Sequence, residues 1–229
     1  NAAAVVLGDY GADPDLDWAA SRIATFANYQ AGQSCISVQR VLVDAGVYHE
    51  FVARVVDHVE RQVTGDPYDE ATAVGPLVDE QAAQRVTAWI EEAVGEGAKL
   101  LTGGVRDGAH LSPAVLVDVP PHVRLSCEEV FGPVLTVTAV DGVDDAVARV
   151  NDSRFGLQAG VFTKDLQTAF RMHRDLHVGG VVIGDVPSYR ADQMPYGGVK
   201  ESGVGREGLK YAMEDFTDIR VMVLAGIDL

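Results

Sequence analysis

Two hydrophobic periods alternate along this chain, and that alternation constrains its fold more than any other feature. From Leu16, apolar Ala19, Ala20, Ile23 and Phe26 recur at three- and four-residue spacing. This predicts an amphipathic helix capped by Asp15 and ending near Gly32. A β-branched stretch, Ile36 to Val43, follows, and then Val47, Phe51, Val55, Val59 and Val63 mark a second helix stopped by Gly65. A third helix runs through Ala82, Val86, Trp89, Ile90 and Ala93. Beyond it, strand-like segments at Lys99–Thr102, Ala114–Val117, Leu135–Val140, Gly160–Thr163 and Gly180–Ile183 interleave with helices at Val143–Val150 and Asp165–Leu176. Strand and helix in alternation imply an α/β fold with a largely parallel sheet.

Three stretches read as irregular: Gly65–Val78, His122–Pro133 and Asp185–Gly208. Loops longer than about 12 to 15 residues are uncommon in compact domains unless they carry function, so the last two are the candidate site loops. The tail from Thr217 to Leu224 is strand-like, with Ile219, Val221 and Val223 on one side of the pleat. Arriving after every other element has paired, it is expected to pair outside its own domain.

Bulk properties narrow the function classes. The 229 residues carry a formal net charge of -16, which opposes binding to a phosphate backbone and excludes nucleic acid as the expected partner. No apolar run approaches the ~20 residues of a membrane-spanning helix, so no membrane span is expected. Two cysteines, Cys35 and Cys127, do not make a disulfide framework, and a reducing cytoplasmic setting is the expectation. The chain opens at Asn1 without methionine, so its first residues are open to a reading as an added leader.

Cys35 lies in Ala31-Gly32-Gln33-Ser34-Cys35, at a helix-to-strand junction behind a glycine. Such a junction exposes a side chain and brings backbone N–H dipoles near it, as a nucleophilic thiolate needs; a small buried apolar position is the competing reading. Glu128 and Glu129 precede Val130-Phe131-Gly132-Pro133, offering carboxylates for sugar hydroxyls and an apolar ring for a heteroaromatic group, or else a solvated acidic turn. His173 and His177 are four apart on an expected helix face, but no third ligand is close in sequence and no metal site is expected. Gly203-Val204-Gly205-Arg206-Glu207-Gly208 matches the dinucleotide glycine pattern by letter, yet follows a polar run rather than a buried strand. It reads as a loop opening a short helix.

In combination these segments resemble the aldehyde dehydrogenase superfamily. Phe26-Ala27-Asn28 leading to Gly32-Gln33-Ser34-Cys35 is similar to the family's nucleophile motif. Gly65-Asp66-Pro67 with Gly75-Pro76-Leu77 is similar to its following loop, and Glu128-Glu129-Val130-Phe131-Gly132-Pro133 to its cofactor-ribose motif. Pro195-Tyr196-Gly197-Gly198-Val199-Lys200-Glu201-Ser202-Gly203 resembles its C-terminal signature.

The resemblance implies the catalytic-domain fold of that family: α/β, a largely parallel twisted sheet with flanking helices, and a C-terminal oligomerisation strand. Residues 1–216 would be the catalytic domain and 217–229 the strand, giving a homodimer or homotetramer. NAD or NADP is the implied cofactor, with Cys35 as nucleophile, Glu129 on the nicotinamide ribose and Phe131 on the nicotinamide. The Rossmann domain and the general-base glutamate of a Glu-Leu-Gly-Gly segment are expected upstream of Asn1, so this chain alone is expected to be inactive. Gly184–Asp192 resembles the branch acting on lactaldehyde, phosphonoacetaldehyde and glyceraldehyde-3-phosphate. There Arg190 would meet an anionic substrate group, unless it pairs internally with Asp185 or Asp192. A non-catalytic assembly domain and a coenzyme A-acylating dehydrogenase are the alternative readings.

Overall fold

A computed structural model describes residues 1–228 and places the start of the chain, Ala2–Val6 (β1), in the interior of a seven-stranded sheet. All five residues are buried, so they belong to the core. Along the chain come α1 (Asp15–Asn28), β2 (Val38–Asp44), α2 (Tyr48–Glu60), α3 (Glu80–Gly95), β3 (Lys99–Thr102), β4 (Arg106–Asp107), β5 (His110–Leu111) and β6 (Ala114–Val117). Then follow α4 (Arg124–Cys127), β7 (Val134–Val140), α5 (Gly142–Asn151), β8 (Phe155–Gly156), β9 (Gln158–Phe162), α6 (Leu166–Asp175), β10 (Gly180–Ile183), β11 (Val199–Lys200) and α7 (Leu209–Asp215).

The sheet order is β10-β9-β1-β2-β7-β6-β3. Every pair is parallel except the antiparallel β3–β6 edge. Because the strand order runs outward in both directions from β1 and β2, helices cover both faces. Ala4 and Val6 of β1 pack with Ile23 of α1 and Phe51 and Val55 of α2, whereas Ala3 and Val5 face Ala146 and Val150 of α5 and Met172 of α6. Strands buried on both sides carry apolar residues at every position, as β1 does. Fully burying side chains such as Phe51, Phe162, Leu16 and Ile23 contributes roughly 1.5–3 kcal/mol each. A third cluster packs α3, through Val86 and Ile90, on Leu116 and Val134.

Several boundaries differ from expectation for local reasons. Asp15 is the first residue of α1, whose cap position is Pro14 without a side-chain hydrogen bond; Asp15 pairs instead with Lys164. The second helix stops at Glu60, leaving Val63 exposed. His177 lies beyond the end of α6, so it shares no helix face with His173, and no cluster of potential metal ligands occurs among the described residues. No described helix is long and apolar enough to cross a membrane. From Thr217 to Asp228 the chain joins no strand and is exposed; Leu229, the end of the expected terminal strand, lies outside the described residues.

Candidate active site

Residues at the amino ends of four strands converge on one cavity of about 230 Å³. Asn1 precedes β1, Cys35 precedes β2, Glu129 precedes β7, and Gln158 opens β9; all four line it. This is the opposite end of the sheet from the usual ligand crevice of open α/β folds, which lies outside the carboxyl ends. The ribbon of β8 and β11 closes one side, bringing Phe155, Gly156, Glu201 and Ser202 into the wall.

Cys35 is presented by an unusual turn. Gln30, Ala31 and Gly32 have φ of 52°, 55° and 71°, three successive residues in the left-handed region. For Gln30 and Ala31 this conformation costs roughly 1–2 kcal/mol each, a strain that surrounding contacts must offset. Ser37 Oγ donates to the carbonyls of Phe26 (3.2 Å) and Ala27 (2.9 Å), closing the turn on α1. Gly32 is required by proximity as well as by φ, because a Cβ there would lie 2.1 Å from the Gly132 carbonyl oxygen. The Cys35 turn and the Glu-Glu-Val-Phe-Gly-Pro loop thus meet backbone to backbone. Cys35 itself is exposed, so the buried apolar reading fails.

Gln39, buried in β2, fixes the carboxylate loop. Its Nε2 donates to the carbonyls of Leu125 (3.0 Å) and Glu128 (2.8 Å), and its Oε1 accepts from Val130 N–H at 3.0 Å. Between those clamps the two glutamates diverge. Glu128 pairs with Arg154, which also reaches Glu201 at 3.2 Å. Glu129 is exposed on the cavity with no ion-pair partner among the described residues. Phe131, 41% exposed with φ of 50°, stands two residues further on and does not line the cavity.

The loop after β10 is bolted to the same region. Asp185 takes a bidentate pair from Arg22 of α1, both bonds 2.8 Å, and Ser188 Oγ donates to Ile36 O at 2.6 Å. Arg190 therefore pairs with neither Asp185 nor Asp192; its partner is Glu207 at 2.8 Å. The Arg190 guanidinium also stacks on the Tyr196 ring, 4.3 Å from its centroid, and Tyr196 Oη lies 2.9 Å from Cys35 Sγ. The glycine pattern at Gly203–Gly208 forms a loop and opens the seven-residue α7. Gln33 Oε1 accepts from Val78 N–H at 2.8 Å, tying the remaining motif loop beside Cys35.

Sequence reasoning missed Gln39, Tyr196 and Arg154. Gln39 carried one usable signal, a long polar residue within a β-branched run. Tyr196 lay within the segment resembling the C-terminal signature, but nothing in that segment tied it to Cys35, 161 residues away.

An α/β sheet with this cysteine turn has known counterparts: the chain belongs to the aldehyde dehydrogenase family, whose profile matches residues 1–222. A 3-sulfolactaldehyde dehydrogenase of Priestia aryabhattai is 47% identical over 212 residues, covering 93% of this chain and 44% of that protein. Aldehyde dehydrogenase 21 of Physcomitrella patens, solved with its reaction product succinate, superposes with a TM-score of 0.90 at 43% identity, covering 94% of this chain and 44% of that one. A glyceraldehyde-3-phosphate dehydrogenase of Methanocaldococcus jannaschii, complexed with NADP, has a TM-score of 0.90 at 37% identity, covering 96% and 47%. The chain spans less than half the length of the curated relatives it matches.

Proposed function

We propose that this chain is the nucleophile-bearing portion of an NAD(P)-dependent aldehyde dehydrogenase that oxidises an aldehyde to a carboxylic acid. The observation that carries the reading is one cavity lined by an exposed thiol, Cys35, and a carboxylate, Glu129, that has no ion-pair partner among the described residues. In the proposed reaction Cys35 Sγ attacks the aldehyde carbon, a C–S bond forms, and the carbonyl π pair moves to oxygen. The Cys35 N–H, which makes no hydrogen bond among the described residues, is available to that oxyanion. Loss of the aldehydic hydrogen with its bonding pair then leaves a thioester on Cys35, and water cleaves it to carboxylate and thiolate. When bound, NAD or NADP supplies the hydride acceptor.

The donor set fits such a cofactor. Glu129 has its lone pairs free for ribose hydroxyls, and the half-exposed Phe131 ring is available for a nicotinamide face. Asn1 lines the cavity, with its Nδ2 donating to Glu128 O at 3.0 Å. A glutamate a few residues upstream would therefore enter beside Cys35, where a base could activate the hydrolytic water. Arg190 is the proposed contact for an anionic substrate group. Its exposed pair with Glu207 is worth at most about 1 kcal/mol and can be exchanged for a substrate anion. The names of the relatives fit, since sulfolactaldehyde, succinate and glyceraldehyde-3-phosphate all carry anionic groups.

The test is an assay of a full-length protein and of these 229 residues alone, each with NAD, NADP and a panel of anionic aldehydes. Full-length protein should form carboxylate and reduced cofactor in equal amounts, whereas the chain alone should neither turn over nor bind cofactor tightly. Steady turnover by the 229 residues would overturn the division of labour, and absence of oxidation by the full-length protein would overturn the function.

The exposed tail supports a second property, pairing with a neighbouring subunit in a homodimer or homotetramer. Ile219, Val221 and Val223 are 94%, 86% and 80% exposed, an apolar row that is costly to leave in water. Light scattering with and without the residues after Asp215 should show an oligomer and a smaller species respectively. A monomer in both cases refutes this assignment.

A further inference from the structure

We infer that Tyr196 is a further catalytic residue, its phenol donating a hydrogen bond to the Cys35 sulfur and holding it as an attacking thiolate. The inference rests on the reading of Cys35 as nucleophile and adds a residue to it. Tyr196 Oη is 2.9 Å from Cys35 Sγ, well inside the reach of a hydrogen bond to sulfur. Tyr196 is held there in two ways. Its backbone exchanges two hydrogen bonds with Glu207, N–H to O at 3.0 Å and the return bond at 2.6 Å. Its ring carries the Arg190 guanidinium at 4.3 Å, and Arg190 is in turn held by Glu207. The side chain is buried, so water competes poorly for the hydroxyl.

Direction of donation follows from acidity. Burial first, then the hydrogen bond to Cys35, pushes the Tyr196 phenol above the usual tyrosine range, which favours the phenol with its proton on oxygen. A phenol with its proton can only donate to a thiolate, and a bond from a neutral donor to a charged acceptor is among the stronger ones. The thiol proton leaves to solvent and the Tyr196 proton stays on oxygen. When the sulfur forms its bond to the aldehyde carbon its negative charge passes to the substrate oxygen, and the hydrogen bond weakens. Tyr196 thus favours the resting thiolate, setting how much of it is present at a given pH.

The experiment is Tyr196→Phe in the full-length protein, a change that keeps the ring, its burial and the Arg190 stack while removing one oxygen. The rate of Cys35 alkylation by iodoacetamide is followed by peptide mapping from pH 5 to 10, with Cys127 as internal reference. We expect the Cys35 profile to move up by about one pH unit, a tenfold slower reaction on its acidic limb that is recovered on the alkaline side. Cys127, hydrogen-bonded to the Pro121 and Val123 carbonyls at 3.1 and 3.2 Å, should not change. An unmoved or lowered Cys35 profile, a rate loss equal at all pH values, or an equal shift at Cys127 would each refute the role. Alkylation reads the Tyr196–Cys35 contact whether or not Cys35 carries the acyl group, and turnover by Cys35→Ala decides the latter separately.

Discussion

Replacing Cys35 by alanine in the full-length protein is expected to lower aldehyde oxidation by at least about four orders of magnitude, while leaving cofactor affinity within a factor of two or so. The second cysteine does not offer a replacement nucleophile, since Cys127 points to the Pro121 and Val123 carbonyls and lines a separate hollow. Its thiol is pushed above the ordinary range by burial first and by Glu128 next, which disfavours its thiolate. Cys35→Ser is expected to be almost as inactive, because a hydroxyl stays protonated where a thiol ionises. The two variants should separate in stability. Alanine leaves the Tyr196 hydroxyl, in a residue only 5% exposed, without its partner, at a cost of roughly 1–3 kcal/mol, whereas the serine oxygen restores a partner. Turnover, cofactor titration and thermal melts on the three proteins measure all of this. Turnover by Cys35→Ala within tenfold of wild type would remove Cys35 from the mechanism.

Element type was legible where a short apolar run is set off by glycine or proline on its flanks, as around Lys99–Thr102, Ala114–Val117 and Gly180–Ile183. Strands Lys99–Thr102, Ala114–Val117 and Gly180–Ile183 lie where their residues predict. β1 was not legible, because Ala2-Ala3-Ala4-Val5-Val6 has neither alternation nor strong β-propensity. Its burial on both faces erases the period-two signal, and only its place beside β2 and β9 makes it a strand. The terminal segment shows the converse. Ile219, Val221 and Val223 alternate as a strand should, yet no described strand lies beside them and they stay exposed. Pattern reports what a segment can pair with, and pairing needs a partner edge.

The site was legible as motifs and illegible as an arrangement. Four separated segments were candidates, and the structure brings them together through contacts that leave no trace in spacing. Gly32 against Gly132 joins the cysteine turn to the carboxylate loop, and Gln33 against Val78 adds the second motif loop. Tyr196 against Cys35 adds the last. A one-residue glycine requirement looks the same in a turn as in a close backbone approach, so Gly32 signalled a bend and not its neighbour. The choice between Glu128 and Glu129 likewise depends on Arg154, whose position beside Glu128 follows from the β8–β11 ribbon rather than from either glutamate's own sequence context.

That choice sets the second large effect, expected for Glu129→Gln in a full-length protein. If the carboxylate accepts hydrogen bonds from the nicotinamide ribose, it fixes where the hydride acceptor lies over Cys35, and transfer depends steeply on that placement. Glutamine keeps the size and one acceptor oxygen but removes the charge, weakening a charge-assisted bond that is roughly twice as strong as a neutral one. A loss of about 1.4 to 2.8 kcal/mol in the transition state slows the hydride step about ten- to a hundredfold. Thioester hydrolysis, which does not need the ring in place, should change less. Glu128→Gln should leave the rate near wild type, because Glu128 faces Arg154 in a half-exposed pair whose loss costs at most about 1 kcal/mol of stability. Pre-steady-state formation of reduced cofactor with a deuterated aldehyde isolates the step, and the isotope effect should grow in Glu129→Gln as hydride transfer becomes limiting. An unchanged burst in that variant, or a larger defect in Glu128→Gln, would move the ribose contact to the other carboxylate. The clamp by Gln39 argues against that exchange: its bonds to the Glu128 carbonyl and the Val130 N–H hold the backbone on either side of Glu129, leaving that side chain turned to the cavity.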